Sequence, residues 1–153
     1  MKIAVTGATG YIGGRLVPRL IADGHEVVCL ARNPAKLAGR SWTDQVEAVT
    51  ADVLQPDTLD GALRGCDVAF YLVHSMGSAD SFRDADKAAA TNFARAAADA
   101  GVGRIVYLGG LGDEDDSLSH HLDSRHEVGR ALASGTVPVT EVRAAVIIGS
   151  GSV

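Results

Sequence analysis

Six short apolar runs recur along this chain, and helical patterns separate several of them. The runs are continuous in Val, Ile and Ala instead of alternating with polar residues, which is typical of strands covered by helices on both faces. They are KIAVTG, HEVVCLAR, VEAVTAD, DVAFYLV, RIVYLGG and VTEVRAAVIIG. The pattern predicts an α/β fold in three α/β/α layers, a doubly wound parallel sheet whose ligand crevice lies beyond the carboxyl ends of the strands.

Three intervening segments carry helical signals. Residues 11–24 end in a glycine, and residues 81–101 place apolar side chains at helical spacing before Gly101. These side chains are Phe82, Ala85, Ala89, Phe93, Ala96 and Ala100. The segment from Asp57 to Arg64 predicts a shorter helix.

Length and composition favour one folded domain over residues 1–153. The chain has 46% hydrophobic and 22% charged residues, which is close to ordinary globular usage. It contains no apolar run of membrane-spanning length and no signal-peptide pattern, so we expect a cytoplasmic protein. The net charge of -5 argues against a nucleic-acid partner.

A glycine-rich stretch, TGATGYIGG, follows the first predicted strand and opens the first predicted helix. Gly7 permits a tight turn, Gly10 lets the backbone approach a pyrophosphate, and Gly13 lets helix and strand pack closely. The spacing is GxxGxxG, and no GK[ST] follows, which argues against a kinase or ATPase. We predict a dinucleotide site; the alternative is a glycine-rich turn without a ligand.

The residues after the second and third strands indicate which nucleotide is preferred. NAD-selective sites usually place Asp or Glu about 20 residues beyond the glycines, whereas this chain has Arg32 there, with Lys36 on the following turn. Two cations suit a 2′-phosphate, so NADP(H) is favoured over NAD(H), unless Arg32 is only a solvated loop residue. Asp52 and Val53 fit an adenine edge and face, although Asp52 suits a turn or helix cap equally.

Several of these stretches resemble the atypical short-chain dehydrogenase/reductase group, particularly its NmrA-like members. They are VTGATGYIGG, ARNP, ADV, TNFARAAADAGVGRIVYLGGLG and PVTEVRAAVIIGSGS. The resemblance implies a Rossmann domain with Arg32 on the adenosine phosphate and Asp52 with Val53 on adenine. It implies pyrophosphate contacts from Gly7, Thr9, Gly10, Tyr11 and Ile12, and contacts along the nicotinamide-side ribose from Leu72, Val73 and His74.

The chain departs from active reductases of that group at their catalytic positions. Those enzymes carry a Ser after the fifth strand and a Tyr-x-x-x-Lys on the next helix, where this chain has Gly109 and Gly110, then His121 and Arg125. Four residues apart on a helix, His121 and Arg125 share a face. His121 could donate a proton as hydride arrives, and Arg125 could bind the ribose or a developing oxyanion.

The rival interpretation of residues 119–132 is an amphipathic helix capped by Ser119. The inward side chains would be Leu122, Val128, Ala131 and Leu132, and the surface side chains His120, His126 and Arg130. No compact ligand set supports a metal site, and we expect the acidic run from Asp113 to Asp116 to be a solvated loop. Cys29 and Cys66 are expected to be reduced packing residues.

A second departure concerns length, because proteins of this group usually continue into a substrate-binding region, expected here beyond Val153. We therefore expect a fragment of a longer protein, and the alternative is a free-standing cofactor module. The sequence therefore predicts an NADP(H)-binding domain of an oxidoreductase acting on a small carbonyl-type substrate. The first alternative is a non-catalytic NADP-sensing regulatory protein, and the second is a purely structural domain. A homo-oligomer is compatible with both the oxidoreductase and the NADP-sensing protein.

Overall fold

The computed structural model describes residues 1–73, 80–111, 120–145 and 147–149, with backbone alone for 80–82 and 120–122. Within these residues six strands form one sheet: β1 Lys2–Thr6, β2 Glu26–Ala31, β3 Glu47–Thr50, β4 Val68–Tyr71, β5 Arg104–Gly110 and β6 Val139–Ala144. The α-helices described are α1 Tyr11–Ala22, α2 Asp80–Asp99 and α3 His120–Ala133. Short 3₁₀ helices span Pro34–Leu37, Thr43–Gln45 and Pro56–Thr58. Among the described helices, none is both long and apolar enough to cross a membrane.

The sheet is parallel, with strand order β3-β2-β1-β4-β5-β6. The chain builds outward from β1 to β3, crosses back to β4 beside β1, and then builds outward on the other side. The carboxyl ends of β1 and β4 therefore flank the point where strand order reverses, which is where such sheets bind ligands. The predicted doubly wound α/β fold is confirmed.

Two hydrophobic clusters lie on opposite faces of the sheet and give the three predicted layers. On the α1 face, Val17, Leu37 and Trp42 pack against side chains of β1 and β2. On the other face α2 and α3 cover the sheet, where Phe93 meets the ring of Tyr71 with centroids 5.0 Å apart. The thiols of Cys29 and Cys66 are both buried, as expected for packing residues.

Two predicted elements are wrong in extent or kind. The sixth strand ends at Ala144 instead of Gly149, because its pairing with β5 ends where Gly110 pairs with Ala144. The segment from Asp57 to Arg64 is not an α-helix: hydrogen bonds between residues three apart close successive turns there. Gly61 weakens a helix at this point, and Gly65 adopts a left-handed φ of 74°.

The predicted burial pattern of α3 is correct in part. Val128, Ala131 and Leu132 are buried as expected, but His126, predicted on the surface, is only 5% exposed. The helix contacts α2, β5 and β6, so these elements bury more of its surface than its apolar stripe alone. Gly129 also brings α3 close to the sheet, since a Cβ there would lie 3.5 Å from Cε1 of Tyr107.

Candidate functional site

A cleft of about 890 Å³ opens at the carboxyl ends of β1, β2, β3 and β4, at the point where strand order reverses. The turn after β1, the segments after β2, β3 and β4, and one face of α2 line it. Of the predicted cofactor residues, the lining includes Gly7, Thr9, Gly10, Arg32, Lys36, Asp52, Val53, Leu72 and Val73. One cavity thus brings together residues predicted from four separate segments.

The glycine turn needs its glycines for two different reasons. Gly7 has a left-handed φ of 74°, and a Cβ on it would lie 2.8 Å from the carbonyl oxygen of Leu72. Gly13 lies on the first turn of α1, where a Cβ would lie 2.8 Å from the Cα of Ala8. The Gly10 N–H donates to the Gly7 carbonyl over 3.0 Å, which closes the turn. The turn therefore packs directly against the start of α1 and the end of β4.

The N-terminus of α1 borders this cleft, because its N-cap residue Gly10 is part of the lining. Gly10 is the N-cap residue, no side chain caps it in the described part of the chain, and the first turn carries no acidic residue. The first N–H groups of a helix have no partner within the helix, and together with the helix dipole they favour an anion. A phosphate group fits this end of the cleft.

Thr6 is a site residue that the sequence analysis missed. Its buried hydroxyl donates to the Phe70 carbonyl over 3.0 Å and accepts from the Leu72 N–H over 3.1 Å. The backbone pairing between β1 and β4 ends at Val5 and Phe70. The Thr6 hydroxyl bonds link the two chain segments one step further toward the cleft. Thr6 thereby fixes the backbone of Leu72 against the glycine turn.

Two cations lie on the rim of the cleft beyond β2. Arg32 directly follows β2, Lys36 lies in the 3₁₀ helix Pro34–Leu37, and both residues are exposed. Asn33 caps that 3₁₀ helix, because its side-chain oxygen accepts from the Ala35 N–H over 3.1 Å. In the described residues neither cation makes an ion pair, so both are available to a charged ligand.

Asp52 has the turn role that the sequence left open. Its Oδ1 accepts from the Leu54 N–H over 3.0 Å while the residue also lines the cleft. The next residue, Val53, is half-buried against the core, and its carbonyl accepts from the side-chain amide of Asn92 over 3.1 Å. The sequence analysis missed Asn92, which ties α2 to this loop. The adenine contacts of Asp52 and Val53 stay predictions.

Tyr71 and Asp86 line the inner wall of the cleft and were also missed. Asp86 is 7% exposed on α2, three residues before buried Ala89, so its position on the apolar face was the available signal. Burial raises the pKa of the Tyr71 phenol above its ordinary value, and the Asp86 carboxylate raises it further. The phenol is therefore held in its neutral, protonated form.

The predicted catalytic pair is described only in part. An Arg125 N–H donates to the Leu108 carbonyl over 3.2 Å, and the Arg125 carbonyl accepts from the Tyr107 hydroxyl over 2.9 Å. Arg125 is not among the described residues that line the cleft. The side chain of His121 and all of His74 lie outside the described residues, as does the acidic run 113–116. The catalytic roles stay predictions.

Tyr11 and Ile12, predicted to contact pyrophosphate, begin α1 but are not among the lining side chains. The Arg15 guanidinium lies over the Tyr11 ring, 4.1 Å from its centroid. The Tyr11 hydroxyl contacts the backbone at Gly149. Any contact of these two residues with an anion at the helix N-terminus would therefore come from their backbone N–H groups.

A glycine turn at the switch point of a β3-β2-β1-β4-β5-β6 parallel sheet defines a dinucleotide-binding Rossmann domain. The chain matches the NAD(P)H-binding family over residues 7–145. It belongs to that family, and within it to the atypical short-chain dehydrogenases/reductases.

Three known proteins illustrate the relationship. Ceramide reductase of Caulobacter vibrioides is 31% identical, matched over 97% of this chain and 47% of its own length. The triphenylmethane reductase of a Citrobacter species, in complex with NADP(H), has a TM-score of 0.78 at 27% identity, over 95% of this chain and 50% of the other. An NADPH-dependent quinone oxidoreductase of Escherichia coli, in complex with NADPH, has a TM-score of 0.77 at 27% identity, over 92% and 48%. This chain spans about half the length of each.

Proposed function

We propose that this chain is the NADP(H)-binding domain of an oxidoreductase of the atypical short-chain dehydrogenase/reductase group. One observation carries the proposal: the glycine turn, the open N-terminus of α1 and the cations Arg32 and Lys36 all border a single cleft. The turn suits the pyrophosphate, and the two cations suit a 2′-phosphate. Complexes of two relatives with NADP(H) and NADPH support the same preference over NAD(H).

The remaining cleft residues take the other parts of the dinucleotide in this proposal. Asp52 accepts from the exocyclic amine of adenine through its second carboxylate oxygen, since Oδ1 already accepts from Leu54. Val53 packs on the adenine ring. Leu72 and Val73 lie at the carboxyl end of β4, on the opposite side of the glycine turn from the adenosine residues. In this proposal they contact the nicotinamide-side ribose.

The bound cofactor would supply the hydride, and the chain would bind it, orient it and exclude water. We propose a small carbonyl-type acceptor, with His121 as the proton donor and Arg125 placed beside it. The names of the similar proteins, two reductases and a quinone oxidoreductase, support a reductive reaction. The Arg125 guanidinium donates to the Leu108 carbonyl, two residues before β5 ends at Gly110, which supports a position for Arg125 near the carboxyl ends of the strands.

A non-catalytic NADP sensor of the NmrA-like type is the second candidate, and one observation favours it. Gly109 and Gly110 provide no hydroxyl at the end of β5, where active members of the group carry a serine. Such a protein would bind the same cofactor through the same cleft without transferring hydride.

Turnover and binding measured on one sample separate the two candidates. NADPH fluorescence would establish binding, and NADPH oxidation would be followed with a panel of aldehydes, ketones and quinones. An oxidoreductase oxidises NADPH with at least one acceptor and loses that rate in His121→Phe without losing binding. Binding with no oxidation across the panel contradicts the enzymatic proposal and supports the sensor. The cytoplasmic location, the oligomeric state and a substrate-binding region beyond Val153 stay predictions.

A further inference from the structure

Gly14 is a glycine that the dinucleotide fingerprint does not explain. It follows Gly13 inside α1, where a glycine lowers helix stability relative to alanine, and its φ is not left-handed. A Cβ at this position would contact the guanidinium of Arg40, with Cζ only 3.1 Å away and Nη1 closer still. Its next neighbour would be the Ala8 carbonyl oxygen at 3.5 Å, an ordinary contact. Gly14 therefore makes room for Arg40.

The Arg40 guanidinium is held by contacts on several sides. Its Nη2 donates a 2.7 Å hydrogen bond to the carbonyl oxygen of Thr9, in the glycine turn. Its Cζ lies 5.6 Å from the centroid of the Trp42 ring, within the range of a cation–π contact. Trp42 is 5% exposed and packs in the cluster beneath α1, so it offers a fixed surface. The guanidinium is thus seated between the turn, the helix and a buried ring.

This one side chain joins the two arms of the proposed nucleotide site. Thr9 belongs to the glycine turn that would bind pyrophosphate, and Arg40 lies 31 residues further on, in the connection between β2 and β3. The same connection carries Arg32 and Lys36 on the cleft rim. A ligand with phosphates on both arms binds more tightly when the spacing of the arms is set in advance, because less ordering accompanies binding.

We propose that Arg40, seated on Gly14, is a positioning residue that fixes the glycine turn against the connection bearing Arg32 and Lys36. NADP(H) affinity then depends on the Arg40–Thr9 bond although Arg40 is not among the described residues lining the cleft. The inference rests on the proposed function, because it assumes that both arms bind one dinucleotide.

A double-mutant cycle tests this arrangement with Arg40→Ala, Gly14→Ala and the two together. Arg40→Ala is expected to raise the Kd for NADPH about tenfold, since it removes the hydrogen bond to Thr9. Gly14→Ala is expected to raise the Kd by a smaller factor, since its methyl displaces only the end of the Arg40 side chain. The combination is expected to be no worse than Arg40→Ala alone, because a methyl at position 14 then meets nothing closer than 3.5 Å. Losses that add would overturn the inference.

The unliganded protein gives a second readout that a general loss of structure would not imitate. Gly14→Ala should raise the melting temperature in the Arg40→Ala background, where alanine only improves the helix. It should raise the melting temperature less, or lower it, when Arg40 is present, because the methyl then also displaces the guanidinium from Thr9. Equal shifts in the two backgrounds would contradict the Arg40–Gly14 contact.

Two control variants separate positioning from charge. Arg40→Lys keeps the charge without the planar group seated on Trp42, so it should recover little of the NADPH affinity lost in Arg40→Ala. Full recovery would mean that charge alone matters and would overturn the inference. Arg64→Ala removes one exposed cation away from the cleft and should bind NADPH as the wild type does.

Wild-type protein that fails to bind NADPH overturns the proposed function itself, whereas normal binding by Arg40→Ala overturns this inference alone.

Discussion

The side-chain amide of Asn92 donates a 3.1 Å hydrogen bond to the carbonyl oxygen of Val53. This bond joins the middle of α2 to the loop that follows β3, at the edge of the cleft. The loop bears Asp52 and Val53, the two residues proposed to contact adenine, so a contact between two distant segments sets the shape of one end of the cleft.

Replacing Asn92 with Ala should therefore affect both stability and binding. The partly buried Val53 carbonyl loses its partner, so the free energy of unfolding should fall by about 1 kcal/mol in urea denaturation. The Kd for NADPH should rise severalfold as the loop loosens. Thr91→Ala is the matched control, since within the described part of the chain that exposed hydroxyl bonds only to its own helix. Equal behaviour of the two variants would contradict the assigned role.

Alanine substitutions at Gly7 and Gly24 distinguish the cost of a left-handed backbone from the cost of a steric clash with a neighbouring segment. Both glycines have left-handed φ angles, 74° and 80°, but a Cβ at Gly7 would meet the Leu72 carbonyl oxygen at 2.8 Å, whereas one at Gly24 has nothing within 4 Å. Gly24→Ala should lower the free energy of unfolding by about 1 kcal/mol, the cost of the conformation alone. Gly7→Ala should lower it by at least about 1 kcal/mol more and abolish NADPH binding. Equal losses in chemical denaturation would mean that the turn does not press against β4.

The pair formed by Arg83 and Glu127 makes the contact between α2 and α3 sensitive to pH. Arg83 donates from Nε to Oε2 over 2.8 Å and from Nη2 to Oε1 over 3.0 Å, which holds the pKa of Glu127 below its ordinary value of 4.5. Since the folded-state pKa is lowered, the pair stabilises the protein above about pH 4.5, and this contribution is lost as pH falls through the folded-state pKa.

Glu127→Gln should accordingly lower the free energy of unfolding by about 0.5 kcal/mol at neutral pH, as expected for a partly exposed bidentate pair. The free energies of unfolding of the wild type and the variant should converge as the pH falls below the ordinary carboxyl pKa of 4.5 and through the lower pKa of Glu127 in the folded protein. Asp60→Asn, at an exposed position outside the cleft, serves as the control and should show no such convergence. A difference of constant size at every pH would rule out the ion pair as its source.

The sequence predicted features that depend on neighbouring residues and missed those that depend on distant ones. The turn from Gly7 to Gly13 follows from local backbone requirements, and the strands follow from continuous apolar runs, so both could be predicted. The bonds made by Thr6, Arg40 and Asn92 join segments that only the fold brings together. In the sequence, a polar residue that bonds to a distant segment stands among the same kinds of neighbours as a polar residue exposed to solvent.

The two errors in the helix predictions have different physical origins. Gly61 and Gly65 end the helical tendency of residues 57–64, and propensity over so short a segment is a weak guide. His126 was placed on the surface because the apolar stripe of α3 lies elsewhere, but burial also depends on how many elements surround a helix. The carboxyl ends of the strands, by contrast, were correctly expected to hold the cleft, because that relation is a property of the fold.

The most direct test of the central claim is calorimetric titration of the wild type and Arg32→Ala with NADPH, NADP and NADH at fixed salt and pH. The wild type should bind the two 2′-phosphorylated forms at least about tenfold more tightly than NADH, and Arg32→Ala should remove most of that difference while leaving NADH affinity unchanged. Equal affinity of the wild type for NADH and NADPH would contradict the assigned preference. The absence of binding to all three would contradict the dinucleotide site itself.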